Sequence, residues 1–314
     1  MRPDELSGRL RGALAFPITP FDSALRIDET GFRWNIERLA ASPVAALVVA
    51  GGTGEFHALD PGEIHTLSRI AVETSAGRKP VIVGVGGNAT TASLLARRCE
   101  AAGADGLLLM PPSYGRAEDD GLFAYYEAIA SSVGIGVFPY ARDNALLSPA
   151  LVARLARIPN VVAFKDGQGD LRLWKRIRER VGADLRWLAG VGDDLAPQYF
   201  SAGAEGFTSS IANLYPAVAV RLFALATTDV TGADAFVARH IQPIYSLRSK
   251  RRGYEVTTIK AAMARLGLPA GPVRPPLVPL APEDTDDLDI AIAALGAADG
   301  ARAIGTDLAP AQQR

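Results

Sequence analysis

Short apolar runs recur along the chain at residues 12–16, 45–50, 81–84, 106–110, 134–138, 161–164, 185–189 and 206–209, with longer amphipathic segments between them. Several of the runs do not alternate apolar with polar positions, which suits strands covered on both faces in a parallel sheet. The intervening segments carry apolar residues at helical spacing: Phe32, Ile36 and Leu39 within 28–40, and Leu94, Leu95 and Cys99 within 91–102. Eight alternations within about 210 residues predict an α/β protein, a (β/α)8 TIM barrel. A doubly wound sheet would want a glycine fingerprint after the first strand. Pro17-Ile18-Thr19-Pro20 stands there instead, and Gly84-Val85-Gly86-Gly87 lacks the full spacing.

After the eighth run the pattern turns helical, with segments predicted at 215–227, 233–247 and 254–266, more than a barrel requires. A proline-rich connector at 269–282 leads to a last amphipathic segment near 284–295, and residues 296–314 are rich enough in Ala and Gly to fray. The expected organisation is a barrel over 1–228 with a short N-terminal extension, a C-terminal helical region over 229–300 and a flexible tail over 301–314.

Composition narrows the chemistry. A chain of 314 residues with 48% hydrophobic and 21% charged residues belongs with ordinary globular proteins. A formal net charge of -1 offers no general attraction to nucleic acid or to an acidic membrane, so an anionic ligand must be held by local groups. The single cysteine, Cys99, allows no internal disulfide and no zinc cluster. The first eleven residues lack an apolar core of signal-peptide type and no stretch reads as a membrane span, so a cytoplasmic location is the expectation. His57, His65 and His240 show no metal-ligand spacing, and no Gly-x-Ser-x-Gly elbow is present.

Candidate chemistry lies just past the apolar runs, because a TIM barrel projects its working residues from the C-terminal ends of its strands. Lys165 follows Asn160-Val161-Val162-Ala163-Phe164, whose β-branched and aromatic side chains would strip its ammonium of hydration. A fall of roughly three units from 10.4, or about 4 kcal/mol, would make the amine a nucleophile near neutrality. A strand-end lysine that snorkels to solvent is the alternative. Gly51-Gly52-Thr53-Gly54-Glu55 frees backbone N–H groups to cradle a carboxylate, or is a tight turn that needs glycine for backbone reasons alone. Phe138-Pro139-Tyr140-Ala141-Arg142-Asp143 sets a phenol beside a guanidinium. Tyr140 could relay protons or simply pack, and Arg142 could simply pair with Asp143.

The order Gly51-Gly52-Thr53-Gly54-Glu55, Tyr140, Lys165 resembles the dihydrodipicolinate synthase and N-acetylneuraminate lyase superfamily of Schiff-base barrels, over nearly the whole chain from Phe16-Pro17-Ile18-Thr19-Pro20-Phe21 onward. Within it, Gly52 in place of the usual first threonine is similar to the branch of 5-dehydro-4-deoxyglucarate dehydratases. So are Tyr140-Ala141-Arg142-Asp143-Asn144-Ala145, Phe164-Lys165-Asp166-Gly167 and Gly271-Pro272-Val273-Arg274-Pro275-Pro276. The resemblance implies Lys165 as the Schiff-base lysine, Tyr140 as the proton relay, and Gly52, Thr53 and Gly54 as the clamp on an α-keto carboxylate. It also implies Arg142, Ser209 and Ser210 as contacts for the rest of a keto-deoxy sugar diacid. It further implies no cofactor and a homo-oligomer, dimer or tetramer, with Tyr114 as a residue lent across a subunit interface. Lys260 and Arg274 are expected to be structural or interfacial. Ala141 departs from the family's asparagine after the tyrosine, and Pro111-Pro112-Ser113-Tyr114 departs in detail. A pyruvate-dependent aldolase or dihydrodipicolinate synthase on the same scaffold, and a non-catalytic sugar-acid binding protein, are the competing expectations.

Overall fold

Strands Gly12–Ala15 (β1), Ala46–Val49 (β2), Val81–Val85 (β3), Gly106–Leu109 (β4), Gly136–Ala141 (β5), Ala163–Asp166 (β6), Arg186–Ala189 (β7) and Gly206–Ser209 (β8) close into one parallel barrel in sequence order. β8 returns to β1 with Leu14 opposite Thr208 and Ala15 opposite Ser209. This is the (β/α)8 TIM barrel that the hydrophobic pattern predicts, seen here in a computed structural model that describes residues 1–112 and 115–299. The helices are Pro3–Arg9 (α1), Glu29–Ala40 (α2), Pro61–Ser75 (α3), Ala89–Ala101 (α4), Asp119–Ala130 (α5), Pro149–Leu155 (α6), Leu171–Val181 (α7) and Ala196–Ser201 (α8). They continue with Pro216–Thr228 (α9), Val230–Phe236 (α10), Gln242–Ser249 (α11), Tyr254–Arg265 (α12) and Thr285–Asp299 (α13).

Two apolar layers explain the unbroken runs. Leu14, Val48, Ile82, Leu108, Phe138 and Leu188 point inward, where Leu6 of α1 and Leu10 join them. Their strand neighbours Leu47, Val49, Val83, Leu107 and Val137 point outward against the helices. Each large apolar side chain fully buried in this way contributes about 1.5–3 kcal/mol. Helix starts are marked locally: Asp28, Asp60, Asn88 and Ser148 each accept an amide of the first turn of the helix that follows.

Four details depart from the sequence pattern. β5 and β6 lie later than their apolar runs, so that Tyr140 and Lys165 are strand residues, directly paired, rather than residues beyond the strands. Pro139 interrupts the pattern, yet it keeps its place in the ladder opposite Leu109. Leu94 is 54% exposed, while Leu95 and Cys99 of the same helix are buried. The helix expected at 233–247 is divided into α10, a π-type turn at Val237–Ile241, and α11, whose first turn contains Pro243 with no N–H to give.

α9 packs on β1, and α10 to α13 pack on one another beyond it. α11 and α12 reach across to the C-terminal mouth of the barrel, where Tyr245, Arg248, Glu255 and Val256 line a cavity. Among the described residues no helix is long and apolar enough to cross a membrane. Ser113, Tyr114 and the expected tail at 301–314 lie outside the described residues.

Candidate active site

The cavity at the mouth has a volume of about 840 Å³, and Lys165 stands at its floor. β6 carries Lys165 inward between Tyr140 of β5 and Leu188 of β7. Its Nζ is 3.1 Å from the centroid of the Tyr140 ring and 5.3 Å from that of Phe16. The side chain is only 3% exposed, which is incompatible with snorkelling. Gly190, just past β7, leaves the room it occupies: a Cβ there would stand 2.8 Å from Lys165 Cγ and 2.9 Å from Cε. Desolvation holds the amine well below the usual lysine range, the Arg142 charge lowers it further, and Asp166 opposes both. Asp166 points away from the cavity. It accepts hydrogen bonds from the Tyr199 hydroxyl and from the Gln168 amide, and burial raises its pKa.

Tyr140 is fixed by the ladder, and its carbonyl accepts the Tyr126 hydroxyl at 3.2 Å. Burial raises its phenol above the usual value, while the Arg142 guanidinium beside it pulls the other way. Arg142 also donates to Asp143 at 3.3 Å and to the Gly167 carbonyl at 3.4 Å. Tyr140, Arg142 and Lys165 therefore face one space.

The loop after β2 opens with Ala50 in the left-handed region, at φ 51°, and closes with Glu55 in the same region, at φ 59°. The Gly51 and Gly52 carbonyls accept the Phe56 and Glu55 amides, whereas the Gly52 and Thr53 amides meet no backbone acceptor among the described residues. Gly52 and Thr53 line the cavity, as a carboxylate cradle requires. Gly54 does not: it is buried, its carbonyl accepts the Thr19 hydroxyl, and a Cβ would come within 3.2 Å of the Ala50 and Pro17 backbone.

Glu55 anchors this loop from behind. It is fully buried and paired with Lys260 of α12 at 2.5 Å, and it accepts the Arg274 amide at 2.9 Å. Burial lowers Lys260 to about 8 against the pull of Glu55, and its Nζ also donates to the Pro272 carbonyl. Arg274 pairs with Glu63 through two nitrogens, at 2.6 and 2.7 Å. Both cations thus hold the cradle to the C-terminal region, outside the cavity lining.

Strand alternation separates the two serines of β8. Thr208 faces the cavity, and Ser210 lines it just past the strand. Ser209, expected as a substrate contact, is fully buried on the opposite face. Its hydroxyl donates to Asp193 at 2.5 Å and accepts the Ala212 amide at 3.1 Å.

Sequence reasoning passes over a second polar cluster at the β7 and β8 ends. Asp193 is fully buried, accepts the Ser209 and Tyr245 hydroxyls, and is pushed up to about 6 by burial. Arg248 of α11 lies over the Tyr245 ring, 4.3 Å from its centroid, and donates to Ser210 Oγ at 3.0 Å. The available signal was Gly190-Val191-Gly192-Asp193-Asp194 directly after the seventh apolar run; nothing in the sequence indicated that Arg248 returns to the cavity. His57 lines the cavity too, but among the described residues no cluster of three or more His, Cys, Asp or Glu side chains could hold a metal.

The profile of the "Dihydrodipicolinate synthetase family" matches residues 9–295. The chain belongs to that family. A Bradyrhizobium protein (strain BTAi1) named "Probable 5-dehydro-4-deoxyglucarate dehydratase" is 40% identical over 303 residues, 95% of this chain and 97% of that one. One of the same name from Rhizobium rhizogenes K84 is 41% identical over 289 residues, 90% of this chain and 95% of that one. Among solved structures, dihydrodipicolinate synthase from Oceanobacillus iheyensis superposes with a TM-score of 0.89 at 29% identity, covering 94% of this chain and 99% of that chain. Membership of the dihydrodipicolinate synthetase family makes the protein an enzyme, and the cavity around Lys165 its candidate active site.

Proposed function

We propose that the enzyme is a decarboxylating dehydratase that converts 5-dehydro-4-deoxy-D-glucarate to 2,5-dioxopentanoate, CO₂ and water through a Schiff base at Lys165. The observation that carries this reading is the desolvated Lys165 amine set against Tyr140, with the unspent Gly52 and Thr53 amides in the same cavity. The names of the relatives at about 40% identity support the choice of substrate.

In this mechanism the C6 carboxylate rests on the Gly52 and Thr53 amides and the Thr53 hydroxyl, which brings C5 to Lys165. The neutral amine adds to the C5 carbonyl, and loss of water leaves an iminium. The iminium acidifies C4, and Tyr140 removes one proton there. Expulsion of the C3 hydroxyl as water creates a C3=C4 bond conjugated with the iminium. The C1–C2 bond then breaks, its electron pair passing through that conjugated system to nitrogen as CO₂ departs. Reprotonation at carbon, tautomerisation at C2 and hydrolysis release the product and Lys165. In total, the dianion and one proton give one 2,5-dioxopentanoate anion, one CO₂ and one water. The adduct supplies the electron sink.

Intact mass after incubation with the six-carbon acid and borohydride tests this, with pyruvate in parallel, Lys165→Ala as control, and CO₂ followed without reductant. The expected result is an adduct that requires Lys165, and one CO₂ per product. An adduct with pyruvate but no CO₂ from the six-carbon acid would move the activity to an aldolase or synthase, as the Oceanobacillus neighbour's name suggests. No adduct with either acid would remove the Schiff base altogether.

A further inference from the structure

Two arginines line the cavity among the described residues, Arg142 and Arg248, and their surroundings differ. Arg142 is engaged with Asp143 and the Gly167 carbonyl, and its charge pulls the Tyr140 phenol down against burial. Arg248 donates from one terminal nitrogen to Ser210 Oγ at 3.0 Å, and its plane is supported by Tyr245. Its Nε is buried with no hydrogen-bond partner among the described residues. The carboxylates nearest to it do not take up its donors. Asp193 accepts the Ser209 and Tyr245 hydroxyls, and buried Asp194 Oδ1 is likewise without a partner. A half-buried guanidinium at the border of the cavity is thus held in place by an aromatic ring and a hydroxyl, with its buried Nε unspent.

We infer that Arg248, with Ser210, receives the C1 carboxylate of the substrate, and that Arg142 serves Tyr140 instead. The inference rests on the proposed dehydratase reading. It gives each end of the diacid its own recognition: backbone amides of the β2 loop for the carboxylate beside the keto group, and a guanidinium delivered by α11 for the other. A fork of parallel donors also fixes the plane of the C1 carboxylate, so that the C1–C2 bond can be set across the conjugated system into which its electron pair must flow. The flanking Asp193 and Asp194 side chains weaken the net positive field at that point. The carboxylate is therefore oriented without being stabilised so far that its loss as CO₂ is opposed.

Borohydride trapping at Lys165, titrated separately with the six-carbon diacid and with pyruvate, tests the assignment in the unaltered enzyme, Arg248→Met, Arg248→Lys and Arg142→Met. Pyruvate lacks the far carboxylate and reports whether the cradle and Lys165 are intact. Arg248→Met is expected to raise the half-saturating diacid concentration roughly 10–100-fold, the loss of a charge-assisted contact, with pyruvate little changed. Arg248→Lys, which keeps the charge and loses the fork, should fall between. Arg142→Met should slow CO₂ release while leaving diacid half-saturation nearly unmoved. The role of Arg248 is overturned if Arg248→Met leaves diacid trapping unchanged, or if both acids weaken equally, which would mark a structural effect. If the unaltered enzyme traps pyruvate but never the diacid, the dehydratase reading fails and the Arg248 assignment with it.

Discussion

Tyr140 lies directly opposite Lys165 in the β5–β6 ladder, and the lysine Nζ stands 3.1 Å from the centre of the tyrosine ring. The pairing holds an amine that must be neutral to attack against a phenol that must exchange protons with the resulting adduct. Neither group depends on the other for its position, because each is fixed by its own strand.

That independence separates the two roles. Tyr140→Phe should retain the borohydride-trapped adduct, since desolvation of Lys165 comes from the barrel wall, while CO₂ release falls by roughly 10²–10⁴-fold, the usual span for one acid–base group. Single-turnover CO₂ release beside intact mass checks this. Loss of the adduct itself would mean that the hydroxyl is needed before any proton leaves C4.

The ion pair between Glu55 and Lys260 links the cradle loop to α12 across the chain, with both side chains buried. Lys260→Met should destabilise the enzyme by about 3–5 kcal/mol, because an unpaired carboxylate then remains in the interior. Combining it with Glu55→Gln should recover most of that loss. Urea unfolding of the single and double variants measures both, and an unrecovered double variant would show that the contact to Pro272, not the charge, is what matters.

Asp193 supplies a pH signature. Its pKa in the folded enzyme, about 6, lies above the ordinary aspartate value, so the folded state binds more protons than the unfolded state between those two values. Stability from this group is therefore complete at low pH and declines as pH rises from about 4 to about 6, after which it is level. Asp193→Asn should flatten the stability curve within that window. Thermal unfolding at closely spaced pH values gives the comparison, and identical slopes for the two proteins would refute the assignment.

Much of the barrel was legible because its strands are buried on both faces. Runs such as Ala45–Ala50 can be apolar throughout only where a packed interior lies on one side and helices on the other. Lys165 and Tyr140 were legible for a related reason: polar side chains at the inward positions of apolar strands stand out. Strand ends were less so. Pro139 breaks the pattern although the ladder continues past it, which shifted Tyr140 from loop to strand, and β6 likewise runs beyond its apolar residues through Lys165 to Asp166. Ser209 shows a second limit. Two adjacent serines read alike, yet strand alternation turns one into a wall that holds Asp193 and leaves the other at the cavity.

The alternation of strand and helix, the order of the glycine loop, tyrosine and lysine, and thereby the family, are written in the chain itself. Those depend on local pattern, residue type and spacing. Packing in three dimensions is what anchors Glu55 on Lys260, turns Gly54 into a support of the loop rather than a cavity residue, and returns Arg248 of α11 to the mouth beside Ser210. These relationships join residues far apart in the chain. They arise from how the C-terminal helices pack over the barrel, which no local periodicity encodes.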